Sequence, residues 1–188
     1  MSVERVLGYA AVEPEAPLYC PEDELKQMEG WPSSGRIEFQ DVAIRYRPGL
    51  PRALDGATFS IPGGARVGVV GRTGSGKSTV VQTLFRLLEC ENGGISIDGV
   101  NIATAGLHKL RTNISVIPQV PTLYSGYSVR ENVDLFGIHS REAVDKALED
   151  VQLSGAIADL PNGCDAMVSE GGSNFSVGQR QVCMTETA

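Results

Sequence analysis

The residues best placed to do chemistry form a glycine-rich run, Gly71-Arg72-Thr73-Gly74-Ser75-Gly76-Lys77-Ser78-Thr79. This run fits the pattern G-x-x-x-x-G-K-[ST] at every fixed position. An apolar segment at 65–70 precedes it, and a helical pattern runs from Lys77 to about Leu88. Glycines let backbone N–H groups approach a polyanion closely, and the helix that follows directs its positive end at that anion. The sequence therefore predicts a strand, a phosphate-binding loop and a helix.

Each residue type in the loop has an expected task in binding a nucleoside triphosphate. Lys77 should reach the β- and γ-phosphates, and the Ser78 hydroxyl should bind Mg²⁺. The remaining residues of the motif are expected to complete the binding site around the phosphates. They are Gly71, Thr73, Gly74, Ser75, Gly76 and Thr79. Thr79 is the member expected to cap or pack. The alternative is a chance glycine-rich turn, which average composition would produce in roughly 1% of chains of this length.

Composition limits the classes of partner. The chain has 188 residues, a net charge of -7 and a pI of about 4.9, so a nucleic-acid surface is not expected. The four cysteines have no spacing typical of a metal site. No apolar run approaches the roughly 20 residues that cross a bilayer, so a membrane role is expected to come through a partner.

The pattern along the chain predicts an α/β fold. Apolar segments predict strands at 36–45, 57–61, 65–70, 95–97 and 113–118, with the early ones forming an antiparallel layer beside the nucleotide core. Pro62-Gly63-Gly64 is a candidate hairpin turn. Ser128 and Glu131 form a capping box that should begin a helix. Further helices are predicted at 140–151 and 156–160.

A second motif narrows the class. The run Asn174-Phe175-Ser176-Val177-Gly178-Gln179-Arg180-Gln181 lies about 100 residues after the loop. Here the chain resembles the ATP-binding cassette (ABC) family, whose signature reads L-S-G-G-Q. The form F-S-V-G-Q is typical of the second nucleotide-binding domain of subfamily C, the multidrug-resistance-associated exporters. The resemblance implies a P-loop NTPase fold of the ABC ATPase type, with an antiparallel β layer and a helical subdomain, that binds ATP and Mg²⁺.

The resemblance also implies roles for single residues. The signature residues Ser176, Val177, Gly178 and Gln179 would face ATP bound on a second nucleotide-binding domain in a head-to-tail dimer. Gln119 matches the glutamine loop that touches Mg²⁺ or the attacking water. Tyr46 matches the aromatic residue that stacks on adenine. Without the resemblance, Ser176 is a helix cap, Gln119 a polar residue at a strand end and Tyr46 a packing residue.

The same resemblance suggests how the chain is divided. Residues 1–34 are expected to be a linker that follows a membrane domain absent from this chain, since Ser2 to Val6 resembles the stretch after the last membrane helix. Residues 35–188 would be a partial nucleotide-binding domain, with a helical subdomain and signature at 127–178. Nine residues follow Gln179, and the family's acidic Walker B strand and switch histidine do not occur in this sequence.

This departure has structural and functional consequences. The central sheet is expected to be incomplete, so that Val67, Val69, Val70, Val116 and Ile117 lose neighbours. The leading interpretation is an ATP-binding domain that couples ATP to transport, on the cytosolic face of a membrane through transmembrane domains outside this chain. Hydrolysis by this chain alone is not expected. The alternatives are a nucleotide-binding module without hydrolysis and a non-functional gene fragment.

Overall fold

An antiparallel sheet organises the first of two units into which the chain divides, residues 1–114 and 115–188. A computed structural model describes residues 2–24 and 28–187. The strands are β1 (Ile37–Ile44), β2 (Leu54–Ile61), β3 (Asn92–Ile97) and β4 (Val100–Asn101), in the order β2-β1-β3-β4. The first unit also contains helices α1 (Ser2–Ala10), α2 (Lys77–Leu84) and α3 (Leu107–Thr112). The predicted antiparallel layer is confirmed.

The core of the first unit lies against this sheet. Phe39, Val42 and Ile44 of β1 are buried, as are Ile95 and Ile97 of β3, which follows from the alternation of side chains along a strand. The predicted linker also contributes to this core, because Met28 and Trp31 are buried there. The Trp31 indole Nε1 donates to the Ile97 carbonyl over 2.8 Å, so its polar atom is satisfied inside the core.

Two predicted strands are wrong. Residues 65–70 and 113–118 contain neither helix nor strand, and all of these residues are described. Val67, Val69, Val70, Val116 and Ile117 are between 45% and 96% exposed. A strand forms only where a neighbouring strand pairs its N–H and C=O groups, and no described strand lies beside either segment. The Pro62-Gly63-Gly64 turn therefore joins β2 to a loop, and the central sheet is incomplete, as expected.

Short helices build the second unit around a separate core. They are α4 (Val129–Val133), α5 (Arg141–Asp150), α6 (Ser154–Ala158) and α7 (Val177–Thr187). The predicted capping box is confirmed, since the Ser128 side chain accepts from the Glu131 amide and the Glu131 carboxylate accepts from the Ser128 amide. The buried apolar side chains are Leu123, Val129, Val133, Val144, Leu148, Leu153, Ile157, Val168, Phe175 and Cys183.

Parts of the predicted linker and of the predicted domain lie outside the residues that the structure describes. The predicted linker includes Met1 and residues 25–27, and the predicted domain includes Ala188, all of which lie outside them. Within 2–24 and 28–187, no helix combines the length and the apolar character needed to cross a bilayer. The division at residue 34 stays a prediction.

Asp98, in the turn between β3 and β4, fixes the end of the predicted linker. Its carboxylate accepts from the backbone amides of Ser33, Ser34, Gly35 and Arg36 over 2.7 to 3.0 Å, and also from the Ser34 hydroxyl. The hydroxyl, followed by these amides, holds the pKa of Asp98 well below its ordinary value of 3.8. Each donor favours the charged carboxylate, so this cluster favours the folded chain while Asp98 is ionised.

Asp98→Asn should therefore lower the melting temperature most near neutral pH. A carboxylate whose pKa is depressed by folding contributes its full stability above the unfolded-state pKa, and loses it as the pH falls toward the folded-state pKa. The difference between the wild type and Asp98→Asn should be largest at about pH 7 and should narrow toward about pH 3. Thermal unfolding followed by circular dichroism measures it. Asp150→Asn, at an exposed carboxylate, is the control, and a difference independent of pH would contradict the prediction.

Candidate functional site

The glycine-rich loop ends at a position that only glycine can occupy. Gly76, the N-cap of α2, has a φ of 88°, in the left-handed region that other residues avoid. A Cβ atom there would lie 2.7 Å from the Ala53 carbonyl oxygen, and one on Gly71 would lie 2.4 Å from the Ser75 Oγ. At Gly76 the close atom belongs to the backbone, so there is no room for a side chain, whereas at Gly71 it is a side-chain hydroxyl that can rotate. This close packing leads directly into the first turn of α2, where backbone N–H groups lack partners within the helix.

Lys77, the first residue of α2, folds back across the loop. Its ammonium donates to the carbonyls of Gly71 and Arg72 over 2.8 and 2.7 Å. An ammonium has three N–H donors, so these bonds hold the charge at the concave side of the loop. Ser78 is exposed in the same turn. The loop therefore brings together glycine backbone, one cation and one accessible hydroxyl, which is the donor set that phosphate oxygens require.

Tyr46, in the segment between β1 and β2, contacts the helix that begins at the loop. Its hydroxyl is 3.0 Å from the Thr79 Oγ1 and donates to the Gln82 side-chain oxygen over 2.8 Å. Thr79 is buried, whereas Tyr46 is 48% exposed. Thr79 and Gln82 are three residues apart and therefore occupy one face of α2. These bonds fix the ring by its hydroxyl end and leave part of the ring accessible.

A carboxylate holds the segment that carries Tyr46. Glu91 accepts from Arg45 over 2.8 Å and from Arg52 over 3.1 Å, and Arg52 also contacts Asp55 over 2.7 Å. The hydrogen bond from Arg45, and then that from Arg52, lower the pKa of Glu91. Two arginines on either side of Tyr46 are thus tied to one acidic group, which restrains the irregular segment between β1 and β2.

The signature motif caps α7 in the second unit. The Ser176 hydroxyl accepts from the Gln179 amide over 3.2 Å, and the Gln179 side chain accepts from the Ser176 amide over 2.8 Å. Phe175 is buried in the core of this unit, whereas Ser176, Val177 and Gly178 are exposed. This arrangement is a capping box. The core residue anchors the motif, and the next three residues face solvent at the start of the helix.

Gln119 also belongs to the second unit and lies in an irregular exposed segment. Its backbone carbonyl accepts from the Gln181 side chain of α7 over 3.4 Å. The structure therefore brings Tyr46 and the phosphate-loop residues together in the first unit, whereas Gln119 lies in the second unit and contacts α7 at Gln181, after the signature. The described residues contain no cluster of three acidic, histidine or cysteine side chains that could hold a metal ion.

A family model described as ABC transporter matches residues 54–185, more than two thirds of the chain. The matched segment includes both the phosphate loop and the capped signature helix. The chain belongs to the ABC transporter family. The recognition of the ABC family and the P-loop NTPase fold class are thereby confirmed.

Sequence relatives of this ABC chain are members of subfamily C. It is 48% identical over 185 residues to rat ATP-binding cassette sub-family C member 3 and 46% identical over 185 residues to Arabidopsis thaliana ABC transporter C family member 3. It is also 46% identical over 182 residues to human ATP-binding cassette sub-family C member 10. These alignments cover 97 to 98% of the chain and 12% of each relative. The chain spans about an eighth of the length of these relatives.

Two partners of the site in this ABC chain were not predicted from the sequence. Gln82 shares a helix face with Thr79, and the helical spacing could have indicated this, but only the tertiary structure shows that Tyr46 reaches that face. The other is Arg111, which contacts the end of α2. No local pattern around Arg111 indicates a carbonyl 26 residues away in sequence.

Gly76→Ala should destabilise the ABC fold more than Gly74→Ala. Both glycines have a left-handed φ, but nothing lies within 4 Å of a Cβ on Gly74, whereas one on Gly76 would clash with Ala53. We expect Gly74→Ala to lower the free energy of unfolding by about 1–2 kcal/mol, and Gly76→Ala by roughly 2–5 kcal/mol because overpacking adds to that strain. Urea unfolding followed by circular dichroism measures both. Equal losses would show that contact with Ala53 does not restrict position 76.

Proposed function

We propose that this chain is the ATP-binding module of a subfamily C exporter, in which binding and hydrolysis of ATP drive transmembrane transport. The observation that carries the proposal is the attachment of Tyr46 to α2 through Thr79 and Gln82. Through that attachment, an accessible aromatic ring lies against the helix that begins at the phosphate loop. A nucleoside triphosphate needs both features, one for its base and one for its phosphates.

The first unit would bind ATP in two parts. Adenine would stack on the exposed part of the Tyr46 ring, a contact of the kind worth about 1–3 kcal/mol per base. The phosphates would be held by the loop from Gly71 to Gly76 and by Lys77, whose ammonium would exchange its bonds to loop carbonyls for charge-assisted bonds to phosphate oxygens. The glycine backbone and this cation are the kinds of donor that the oxygens of a triphosphate require.

Magnesium fits this site through the Ser78 hydroxyl, which is exposed in the first turn of α2. A serine hydroxyl in this position is the P-loop ligand of Mg²⁺, and the phosphates would supply further oxygen ligands. By its resemblance to the glutamine loop, Gln119 is a further proposed magnesium ligand and magnesium-sensing residue. Bound Mg²⁺ would neutralise phosphate charge, so that the loop has less negative charge to stabilise.

The signature would act on ATP bound elsewhere. Ser176, Val177 and Gly178 are exposed at the start of the 11-residue helix α7, and a helix N-terminus favours an anion. The proposed partner is a second nucleotide-binding domain in a head-to-tail dimer, with Gln179 holding Ser176 in place. The remaining proposed partners are the transmembrane domains of the exporter, which would keep this chain at the cytosolic face of a membrane.

The second candidate function is nucleotide binding without hydrolysis. In this sequence no apolar strand ends in Asp-Glu, and such a pair would supply the residue that activates water. The Asp98 carboxylate accepts hydrogen bonds from the backbone amides at 33–36. The Asp134 carboxylate accepts from the amides of Ile138 and His139. A chain that neither binds nucleotide nor folds would be the third case, a non-functional gene fragment.

Titration of the purified 188-residue chain with Mg-ATP and with magnesium tripolyphosphate tests the proposal. Lys77→Ala should weaken both ligands by about 10- to 150-fold, because hydrogen bonds to charged groups are worth about 1.5–3 kcal/mol. Tyr46→Ala should weaken Mg-ATP by about 5- to 150-fold more than it weakens tripolyphosphate, since only ATP carries a base that stacks. Isothermal titration calorimetry measures both constants.

The control for lost charge is Lys146→Ala, on α5 of the other unit. Saturable binding that Lys77→Ala removes and Lys146→Ala preserves would support a nucleotide module. Phosphate release abolished by Lys77→Ala would support hydrolysis and contradict the second candidate. Absence of binding in a chain that melts without cooperativity would leave only the third.

A further inference from the structure

The predicted linker runs along α3 and is bonded to it. We call residues 15–23 the strap. The amides of Leu107 and His108 donate to the Pro17 and Leu18 carbonyls over 3.1 and 2.9 Å. The Asp23 carboxylate accepts from the Gly106 amide over 2.8 Å. These bonds satisfy orphan amides at the start of α3, so the strap serves as the N-terminal cap of that helix.

The start of the strap is clasped by the last turn of α3. Arg111 donates through two nitrogens to the two carboxylate oxygens of Glu15, over 3.0 and 2.9 Å. This fork-to-fork geometry is the strong form of an ion pair, because both groups are planar and their atoms match. Hydrogen bonding to Arg111 lowers the pKa of Glu15, so the carboxylate is charged at neutral pH.

The same guanidinium contacts the end of the phosphate-loop helix. Arg111 Nε donates to the Phe85 carbonyl over 3.0 Å, and Nη2 donates to the Arg86 carbonyl over 3.2 Å. Phe85 is the C-cap of α2. One side chain therefore joins the strap to the C-terminus of the helix whose N-terminus carries the phosphate loop.

The end of α2 requires such support. The Arg86 amide donates to the Thr83 carbonyl and the Leu87 amide to the Gln82 carbonyl, which is a Schellman ending. Its left-handed position is usually glycine, but here Arg86 occupies it with a φ of 50°. A residue with a Cβ is strained in that region. The Arg86 side chain is buried and donates to the carbonyls of Ile102 and Ala105, and Arg111 holds its backbone carbonyl.

We propose that Arg111, fixed by Glu15, is a positioning residue for the phosphate loop, and that closure of the strap and binding of nucleotide are energetically coupled. Arg111 acts through α2, which spans only eight residues, so a shift at Phe85 and Arg86 moves the loop at the other end. Coupling of this kind is reciprocal: if the strap strengthens nucleotide binding, nucleotide strengthens the strap by the same factor. This inference rests on the proposed binding of ATP to the loop.

The first test is the affinity of Glu15→Gln for Mg-ATP and for magnesium tripolyphosphate. The variant keeps the shape of the side chain but loses the charge and one of the two acceptors. We expect about five- to tenfold weaker binding of both ligands, at the lower end of typical coupling between sites, because the loop rather than the ring of Tyr46 is displaced. Glu13→Gln, the same change two residues earlier, is the matched control and should bind like the wild type. Arg111→Lys keeps the positive charge without the planar fork and should weaken binding in the same way.

The second test measures the reciprocal effect, which a purely structural role would not produce. Amide hydrogen exchange at Leu107 and His108 reports whether the strap carbonyls are in place. Saturating Mg-ATP should slow exchange there in the wild type and in Glu13→Gln, but much less in Glu15→Gln. Titrations are made at a temperature where circular dichroism shows each variant to be folded.

The outcomes separate the two proposals. A wild-type chain that does not bind Mg-ATP overturns the proposed function and the coupling together. A wild type that binds, with equal affinities for Glu15→Gln and Glu13→Gln and with exchange at Leu107 and His108 unaffected by nucleotide, overturns the coupling alone. Weaker binding of Mg-ATP but not of tripolyphosphate by Glu15→Gln would also overturn it, because the effect would then act on the base.

Discussion

Helix α2 has eight residues, and a helix of that length is marginal in water by itself. The position of the phosphate loop therefore depends on the contacts that hold α2 from outside. Gly76 lies against the Ala53 carbonyl, Tyr46 bonds to Thr79 and Gln82, and Arg111 bonds to the carbonyls at the far end. Polar contacts along α2 therefore hold the phosphate loop, whereas the sequence predicted that a strand at 65–70 would hold it.

Carboxylates hold the irregular segments of the first unit. Asp98 binds the chain just before β1, Glu91 binds the segment around Tyr46, and Glu15 and Asp23 bind the strap to α3. Each of them accepts from two or more donors that are distant in sequence or belong to backbone without regular structure. Because an ionised carboxylate has about four acceptor sites, one such residue can fix a loop that has no ladder of hydrogen bonds. This explains how a proline-rich, acidic segment becomes part of the unit.

In the second unit, the capping role of Ser176 is compatible with its proposed signature role. The Ser176 oxygen caps α7 by accepting from Gln179, which was the alternative to a signature role. A hydroxyl also has a donor, and the cap fixes the oxygen while that O–H can turn toward an acceptor. The buried Phe175 holds the motif at the surface. The cap therefore supports the proposed anion contact by ordering the residues that would make it.

The sequence alone determined those elements that depend only on residues close together in the chain. The capping box at Ser128, the helix of α5, the strands β1 to β3 and the spacing of the phosphate loop all follow from residues close together in the chain. Family membership also followed, because the loop and the signature are each short. Tertiary structure alone decided what pairs with what. Residues 65–70 have the composition of a strand, but no described strand pairs with them. Tyr46 reaches Gln82 across 36 residues, and Glu15 reaches Arg111 across 96. A propensity depends on neighbours within a few residues, whereas a strand partner or an ion pair depends on the path of the whole chain.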